Sequence, residues 1–240
     1  NKGQAFSNCF SYNQGSSMSN INKHLKKSGL VVLDAHIHPL DILLTARNLH
    51  KNFHVKINMP IAGYVFHIPI MKQVVKWFAR SYKINFLPVY RKEELAPKDL
   101  ALKFFCAFYP KKIDQNTRHK ANQEFVRTAI RLCQKPNQVI IIAPYGSTVL
   151  FGRQVKNGVK KILLQKTLYL TSITRWHFPK IGFKTHFGKI SSFKPDFHWE
   201  KIEAKIQTDF AQLPLPLWLL LLKSRLFRPK AWLKIPNSSR

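Results

Sequence analysis

The chain has 240 residues, of which 45% are hydrophobic, and 40 lysines and arginines stand against 11 aspartates and glutamates, a formal charge of +29. No segment reaches the ~20 apolar residues of a membrane-spanning helix, so the sequence predicts no transmembrane helix, and the composition favours one domain with a sizeable core. The excess of positive charge excludes a surface on which acidic and basic residues are balanced. It predicts an anionic partner: a nucleic acid, an anionic membrane or a phosphorylated substrate.

Composition along the chain predicts three parts. Residues 1–28 are rich in Asn, Ser, Gln and Gly, which predicts a flexible lead-in. Residues 29–200 alternate apolar and amphipathic stretches, as in a folded α/β domain. Residues 201–240 form a basic and apolar C-terminal segment, and from residue 213 onward it holds six lysines and arginines and no acid. Apolar residues with aromatic and basic flanks indicate a segment that associates with an anionic bilayer, or one that packs on the domain.

Apolar runs and helical spacing predict the elements of the central part. Strands are predicted over 30–33, 55–57, 84–90, 139–143 and 168–174. Helices are predicted over 42–50, 68–82, 98–109, 123–133 and 155–165. Strands that alternate with helices indicate an α/β fold with a mostly parallel central sheet flanked by helices.

Two of the predicted helices bear on membrane association. Residues 68–82 repeat apolar residues at helical spacing and carry a basic outer face. Residues 98–109 are apolar enough for either a strongly buried helix or a membrane-facing one. Between Asp41 and Glu93 the chain has nine lysines and arginines and no acid, which extends the basic surface to this region.

The most informative stretch is His36-Ile-His-Pro-Leu-Asp41, directly after the first predicted strand. Imidazole titrates near neutral pH, and a carboxylate one helical turn away can fix its tautomer and stabilise the imidazolium. The spacing at this position therefore predicts a general base with its partner.

Other candidate site residues also follow predicted strands. Arg91 comes directly after the third strand, and Tyr145-Gly146 follows the fourth. Sites in parallel sheets gather where the strands end, so His36, Arg91 and Gly146 are expected at one edge of the sheet.

Four blocks in this order resemble the glycerolipid acyltransferase family, which acylates glycerol 3-phosphate or lysophosphatidic acid. The first block is the His-x4-Asp of His36 and Asp41. The second is Phe-Leu-Pro-Val-Tyr-Arg, ending at Arg91, and the third is Ile-Ile-Ala-Pro-Tyr-Gly-Ser-Thr, over 141–148. The fourth is the helix that includes 158–163 and the strand 168–174. The resemblance covers residues 30–176.

The resemblance implies roles for these residues. His36 would take the proton from the acceptor hydroxyl, and Asp41 would orient it and stabilise its charge. Arg91 would hold an acceptor phosphate, and the third block, with Gly146, would bind substrate. The substrate-binding residues implied are Arg91, Tyr145, Gly146, Ser147, Thr148 and Arg153.

Two departures concern the acceptor. The third block has Tyr145 and Thr148 where the family has Glu and Arg, so one phosphate-binding cation is missing from its usual place. Arg153 or Lys156 is a candidate replacement, and a glycolipid is an alternative acceptor.

The resemblance further implies an enzyme of phospholipid or related lipid synthesis with no resident cofactor and no metal. Acyl-CoA or acyl carrier protein would be its co-substrate. The expected partners are an anionic membrane surface, this thioester donor, and a phosphorylated or glycolipid acceptor, with no nucleic acid. The expected location is peripheral, on the cytoplasmic face of a membrane.

Two alternatives stay open. Asp34-Ala35-His36-Ile37-His38 is similar to the first-strand His-x-His of metal-dependent amidohydrolases, although no acid occurs between Glu124 and Asp196 and only His177, His186 and His198 remain as later ligands. A nucleic-acid-binding module would also account for the charge, with aromatic residues among basic ones as stacking platforms.

Overall fold

The structure, a computed structural model, describes residues 15–36, 41–98, 100–109, 113–146, 154–165, 167–176, 183–193, 198–211 and 213. Its strands are β1 Leu30–Asp34, β2 Lys56–Ala62, β3 Ile84–Val89, β4 Gln138–Ile142, β5 Leu168–Trp176, β6 Phe183–Phe187 and β7 Ser191–Ser192. Its helices are α1 Gly15–Leu25, α2 Asp41–Phe53, α3 Pro69–Tyr82, α4 Leu100–Cys106, α5 Gln115–Cys133, α6 Asn157–Leu163 and α7 Trp199–Ala211. Short 3-10 turns occupy Gly63–Phe66 and Lys92–Glu94.

The strands form one mixed sheet in the order β3-β2-β4-β1-β5-β6, with β7 also paired to β5. The pairs among β1 to β5 are parallel, and β6 and β7 run antiparallel to β5. All five residues of β1 are buried, because a parallel strand at the centre of such a sheet is covered on both faces. The predicted α/β fold with a mostly parallel sheet is confirmed.

Helices cover both faces of the sheet, with one apolar cluster under each layer. Residues of α5, α6 and α7 pack on one face beside Val31, Leu33 and Tyr169. Residues of α1 and α2 pack on the other beside Leu30 and Val32, and α3 adds Phe78 and Tyr82 there as partly buried side chains. The five parallel strands end at one edge, which we call the carboxyl edge of the sheet.

The domain includes residues on both sides of the predicted boundaries. Residues 15–25 of the predicted lead-in form α1, and its Ile21 and Leu25 are fully buried. The boundary at residue 200 falls inside α7, where Ile202 and Phe210 are buried in the core. Those two apolar anchors in each helix fix both segments to the sheet, so these parts of the three-part division were wrong. Residues 214–240 lie outside the described part of the chain.

Among the described residues, no helix combines the length and the apolar character needed to cross a membrane.

Candidate active site

The carboxyl edge of the sheet places His36 and Asp41 around one loop. β1 ends at Asp34, His36 follows two residues later, and α2 begins at Asp41. β1 lies between β4 and β5, so this loop leaves the middle of the sheet. The site therefore stands on the most buried strand, which gives it a rigid base.

The two side chains form the predicted pair. His36 Nδ1 lies 2.8 Å from Asp41 Oδ1, and the side chains are 15% and 2% exposed, respectively. The same carboxylate oxygen accepts a hydrogen bond of 2.7 Å from the backbone amide of Ile42, at the start of α2. A carboxylate accepts the Nδ1 proton, so the lone pair of the neutral ring lies on Nε2. The arrangement suits a general base that works through Nε2.

The backbone at His36 adopts a left-handed conformation, with φ of +45°. Residues other than glycine rarely adopt this conformation, and it recurs at functional sites. It is held in part by Asp34, whose Oδ1 accepts a hydrogen bond of 2.9 Å from the His36 amide. The ring is thus placed by one carboxylate acting on the backbone and by another acting on Nδ1.

Asp34 is completely buried and accepts three hydrogen bonds. Besides the His36 amide, the hydroxyls of Thr45 and Ser172 donate to its Oδ2 at 2.7 and 2.8 Å. Burial, followed by the charge of Asp41, raises the pKa of Asp34 to about 6, and the three hydrogen bonds oppose that rise. The sequence gives Asp34 no role of its own, and this positioning role could not be predicted because Ser172 lies 138 residues away in the chain.

Hydroxyl groups continue this polar network under α2. Thr45 Oγ1 lies 3.0 Å from Thr174 Oγ1, which lies 2.8 Å from Thr185 Oγ1. The side-chain amide of Asn48 donates to Thr185 at 2.6 Å. The chain of bonds connects Asp34 to β5 and β6, so the end of β1 that leads to His36 is fixed from several strands.

Asp34, His36 and Asp41 also offer three potential metal-ligand atoms within 4.8 Å of one another. Neither His186 nor His198 joins a cluster of this kind among the described residues, and His38 and His177 lie outside them. The hydrogen bonds on Asp34 and on Nδ1 of His36 use part of this donor set. Nε2 of His36 keeps a free lone pair, so the donor set can bind a metal chemically.

Arg91 lies at the same edge but away from this pair. It follows β3 by two residues and is exposed. Two strands separate β3 from β1, so their axes are ~14 Å apart at the usual strand spacing. Arg91 is close enough to Tyr64 to oppose the rise in that tyrosine's pKa caused by burial. Arg91 and the His36–Asp41 pair therefore occupy separate points of the carboxyl edge.

Behind Arg91 lies a buried carboxylate. Glu94 is 4% exposed, and Tyr109 donates to its Oε2 at 2.5 Å. Burial is the main cause that raises the pKa of Glu94, and the charge of Arg91 opposes the rise. Glu94 and Arg91 thus attract each other electrostatically. The two side chains do not form an ion pair among the contacts of the described residues.

Tyr145, a predicted substrate-binding residue after β4, is buried. Its side chain is 2% exposed and lies with its ring centroid 6.4 Å from that of Phe210 in the core. Burial raises the pKa of Tyr145 to about 12. α7 covers this side chain, so the ring belongs to the core and does not reach solvent at the carboxyl edge.

Gly146 and Lys156 lie together at the end of β4. Gly146 has φ of +67°, and a Cβ at this position would lie 2.9 Å from Cε of Lys156. The Lys156 amide donates to the Pro144 carbonyl at 2.9 Å, which holds this exposed lysine beside the strand end. β4 pairs directly with β1, whereas β3 lies two strands beyond β4. Lys156, at the end of β4, is therefore closer to His36 in the order of the strands than Arg91, at the end of β3.

Three predicted substrate residues, Ser147, Thr148 and Arg153, lie outside the described part of the chain. The comparisons with known proteins add no family: no protein-family model matches this chain, and no curated protein matches it. The functional assignment consequently depends on the residues of the site.

Proposed function

We propose that this chain is an O-acyltransferase that moves a fatty acyl group from a thioester to the hydroxyl of a glycerolipid-type acceptor. The observation that carries the proposal is the His36 Nδ1–Asp41 Oδ1 contact of 2.8 Å, with Asp41 buried and His36 partly exposed at the carboxyl edge. A buried acid that fixes an accessible imidazole is the arrangement that base-assisted attack by a hydroxyl needs.

The reaction follows from the tautomer. Nε2 of His36 takes the proton of the acceptor hydroxyl as its oxygen attacks the thioester carbonyl carbon. The C–O bond forms, the tetrahedral intermediate collapses, and the C–S bond breaks. The imidazolium, stabilised by Asp41, then returns the proton to the leaving thiolate. General base assistance of this kind contributes typically ~10²–10⁴-fold in rate.

The acceptor carries its phosphate toward Lys156 and Arg91. A guanidinium fork suits a phosphate through paired hydrogen bonds, and lysine acts as a compact cation. Lys156 stands beside the end of β4, so it takes the place of the cation that the family has where this chain has Thr148. Two cations, Lys156 and Arg91, thus lie along the carboxyl edge. Because cations bind phosphate, they favour a phosphorylated glycerolipid over a neutral glycolipid as the acceptor.

The donor is an acyl thioester, of coenzyme A or of acyl carrier protein, and the enzyme uses no resident cofactor. Its lipid acceptor resides in a bilayer, so we place the enzyme peripherally on an anionic membrane, on the cytoplasmic face. The formal charge of +29 supports this attraction to anionic headgroups.

The test is transfer from a labelled acyl thioester, supplied as acyl-CoA or as acyl carrier protein, to a panel of acceptors. The panel holds glycerol 3-phosphate, lysophosphatidic acid and a glycolipid with a free hydroxyl. We expect labelled ester with a phosphorylated acceptor. Absence of ester from every donor and acceptor pair, with vesicles present, would refute the proposal.

A metal-dependent hydrolase is the second candidate, and the Asp34, His36 and Asp41 cluster favours it. The two functions separate by dialysis against a chelator followed by addition of zinc. Activity of an acyltransferase survives the chelator, whereas a hydrolase of this type loses activity and recovers it with the ion.

A further inference from the structure

Two helices near the site expose large apolar side chains to solvent. On α3 they are Ile70, Val74 and Trp77, which are 77%, 48% and 57% exposed, and on α4 and the turn after it they are Leu100, Phe104 and Phe108, at 84%, 60% and 38%. We call these six side chains the α3–α4 apolar surface. Isolated exposed apolar residues need no explanation, but aligned rows of them on neighbouring helices mark an interaction site.

The rows adjoin the faces that hold the helices in place but are exposed to solvent. Spacings of three and four residues align each row along one side of its helix. The other side of α3 packs Phe78 and Tyr82 against the core. In α4 it is Phe105 that packs, its ring stacked on Tyr64 with centroids 5.1 Å apart. The exposed rings contact the packed ones: the ring centroid of Trp77 lies 4.8 Å from that of Phe78. Folding therefore leaves on each helix an apolar row that adjoins the packed side and still exposes a large apolar area to solvent.

The α3–α4 apolar surface borders the carboxyl edge of the sheet. Both helices pack against the turn Gly63–Phe66, which directly follows the end of β2. α3 starts from that turn, with Ile70 in its first helical turn. α4 follows the end of β3 and the turn Lys92–Glu94. A partner bound to this surface would face the edge that holds His36 and Arg91.

Positive charge lies beside the apolar row on α3. Lys72, Lys76 and Arg80 are exposed along the helix, and no acidic residue occurs between Asp41 and Glu93. A helix with an apolar side, a basic side and a tryptophan is suited to lie in the headgroup region of an anionic bilayer. A second copy of this chain would bring a further +29 to the contact, so the charge opposes self-association.

We propose that the α3–α4 apolar surface docks this protein on an anionic lipid bilayer, with α3 and α4 in the headgroup region and the carboxyl edge beside the bilayer. The proposal rests on the proposed function, because it explains how a lipid acceptor reaches His36 from the membrane. The sequence predicts a membrane-associating segment at residues 201–240 and a basic surface over residues 41–93, and the proposal assigns docking to α3 and α4.

The first test is co-sedimentation of the full chain with phosphatidylcholine vesicles, with and without phosphatidylglycerol. We expect binding that needs phosphatidylglycerol and weakens with salt. The triple variant Ile70→Ser/Trp77→Ser/Phe104→Ser should bind roughly tenfold more weakly or worse, because its apolar contacts with the bilayer are lost. All three side chains are exposed, so the thermal unfolding midpoint should stay near that of the wild type.

A matched pair of charge variants separates docking by α3 from general attraction. Lys72→Gln/Lys76→Gln/Arg80→Gln removes three positive charges from α3. Lys120→Gln/Arg127→Gln/Arg131→Gln removes three from exposed positions on α5, on the opposite face of the sheet. We expect the α3 variant to lose roughly tenfold to a hundredfold in affinity for the anionic vesicles and the α5 variant to lose much less.

Equal losses in the two charge variants, or unchanged binding of the triple serine variant, would overturn the docking surface. So would a dimer that the triple serine variant converts to a monomer. Vesicle binding is measured without any acyl transfer, so its outcome is independent of the activity assay. Failure to dock and failure to transfer are therefore distinguishable.

Discussion

The backbone amide of His36 donates a hydrogen bond of 2.9 Å to the carboxylate of Asp34, two residues earlier. This bond spans the point at which the chain leaves β1 and turns into its left-handed conformation at His36. A completely buried carboxylate is expensive to ionise, yet here its acceptor atoms are used by the backbone and by two hydroxyls. Asp34 is therefore a positioning residue with a measurable effect on stability.

We predict that Asp34→Asn changes how stability depends on pH. The pKa of Asp34 is raised from its ordinary value of 3.8 to about 6 in the folded protein. The folded state therefore keeps this proton to higher pH than the unfolded state, and the group costs stability as pH rises between those two values. The variant lacks this cost. Its free energy of unfolding relative to wild type should rise, by on the order of 3 kcal/mol, from about pH 4 to about pH 7.

Urea unfolding of both proteins across that pH range measures the difference. Asp114→Asn provides a control of opposite sign, because Asp114 is exposed and hydrogen bonds from Thr117 at the start of α5 lower its pKa. A difference for Asp34→Asn that stays constant or falls as pH rises would contradict the prediction.

Asp41→Asn should lower kcat on the order of 10²-fold, because the amide cannot stabilise the imidazolium of His36. Asn remains a good residue at a helix start, so α2 should persist. The matched control is Asp114→Asn, which also replaces an acid at a helix start, on α5 and thus on the opposite face of the sheet from α2. Steady-state transfer kinetics and circular dichroism check both. Equal kcat values for the Asp41 and Asp114 variants would exclude a catalytic role for Asp41.

Arg91→Ala should raise the KM for a phosphorylated acceptor by roughly 10–100-fold with little change in kcat, because a charge-assisted hydrogen bond is lost. Lys92→Ala, an equally exposed cation next in the chain, should have little effect. If both variants change KM alike, only the general field of positive charge attracts the acceptor.

Lys156→Ala should also raise the KM for a phosphorylated acceptor, since Lys156 supplies the cation beside Gly146. Lys161→Ala removes an exposed charge from the same region, on α6, and should leave KM near the wild-type value. A KM unaffected by Lys156→Ala would mean that this lysine does not contact the acceptor phosphate.

The sequence predicts best where local pattern and burial agree. β1 and β4 are continuous apolar runs covered on both faces, and both were predicted nearly to their ends. The His36–Asp41 pair was predicted from its spacing after β1. The Asp34 network could not be, because Thr45 and Ser172 lie 11 and 138 positions away. Such a contact exists only once the sheet is assembled.

Other differences have equally specific causes. β2 extends beyond the predicted 55–57 to Ala62 and contains Pro60, which is tolerated because β4 pairs with β2 only as far as Asn58. The polar composition of α1 hid a helix that two apolar side chains anchor. The spacing of apolar residues on α3 predicts a helix but does not show whether an apolar side faces the core or the solvent. Ile70 and Trp77 have this spacing and face the solvent.

The measurement that tests the central claim most directly is kcat/KM for acyl transfer in His36→Asn beside His54→Asn. Both histidines have positive φ, a conformation that asparagine tolerates, so the two variants carry a similar backbone change. His54 is exposed and follows α2 by one residue. We expect His36→Asn to lose ~10²–10⁴-fold or more in kcat/KM and His54→Asn to stay near wild type. Near-normal transfer by a folded His36→Asn would contradict the account.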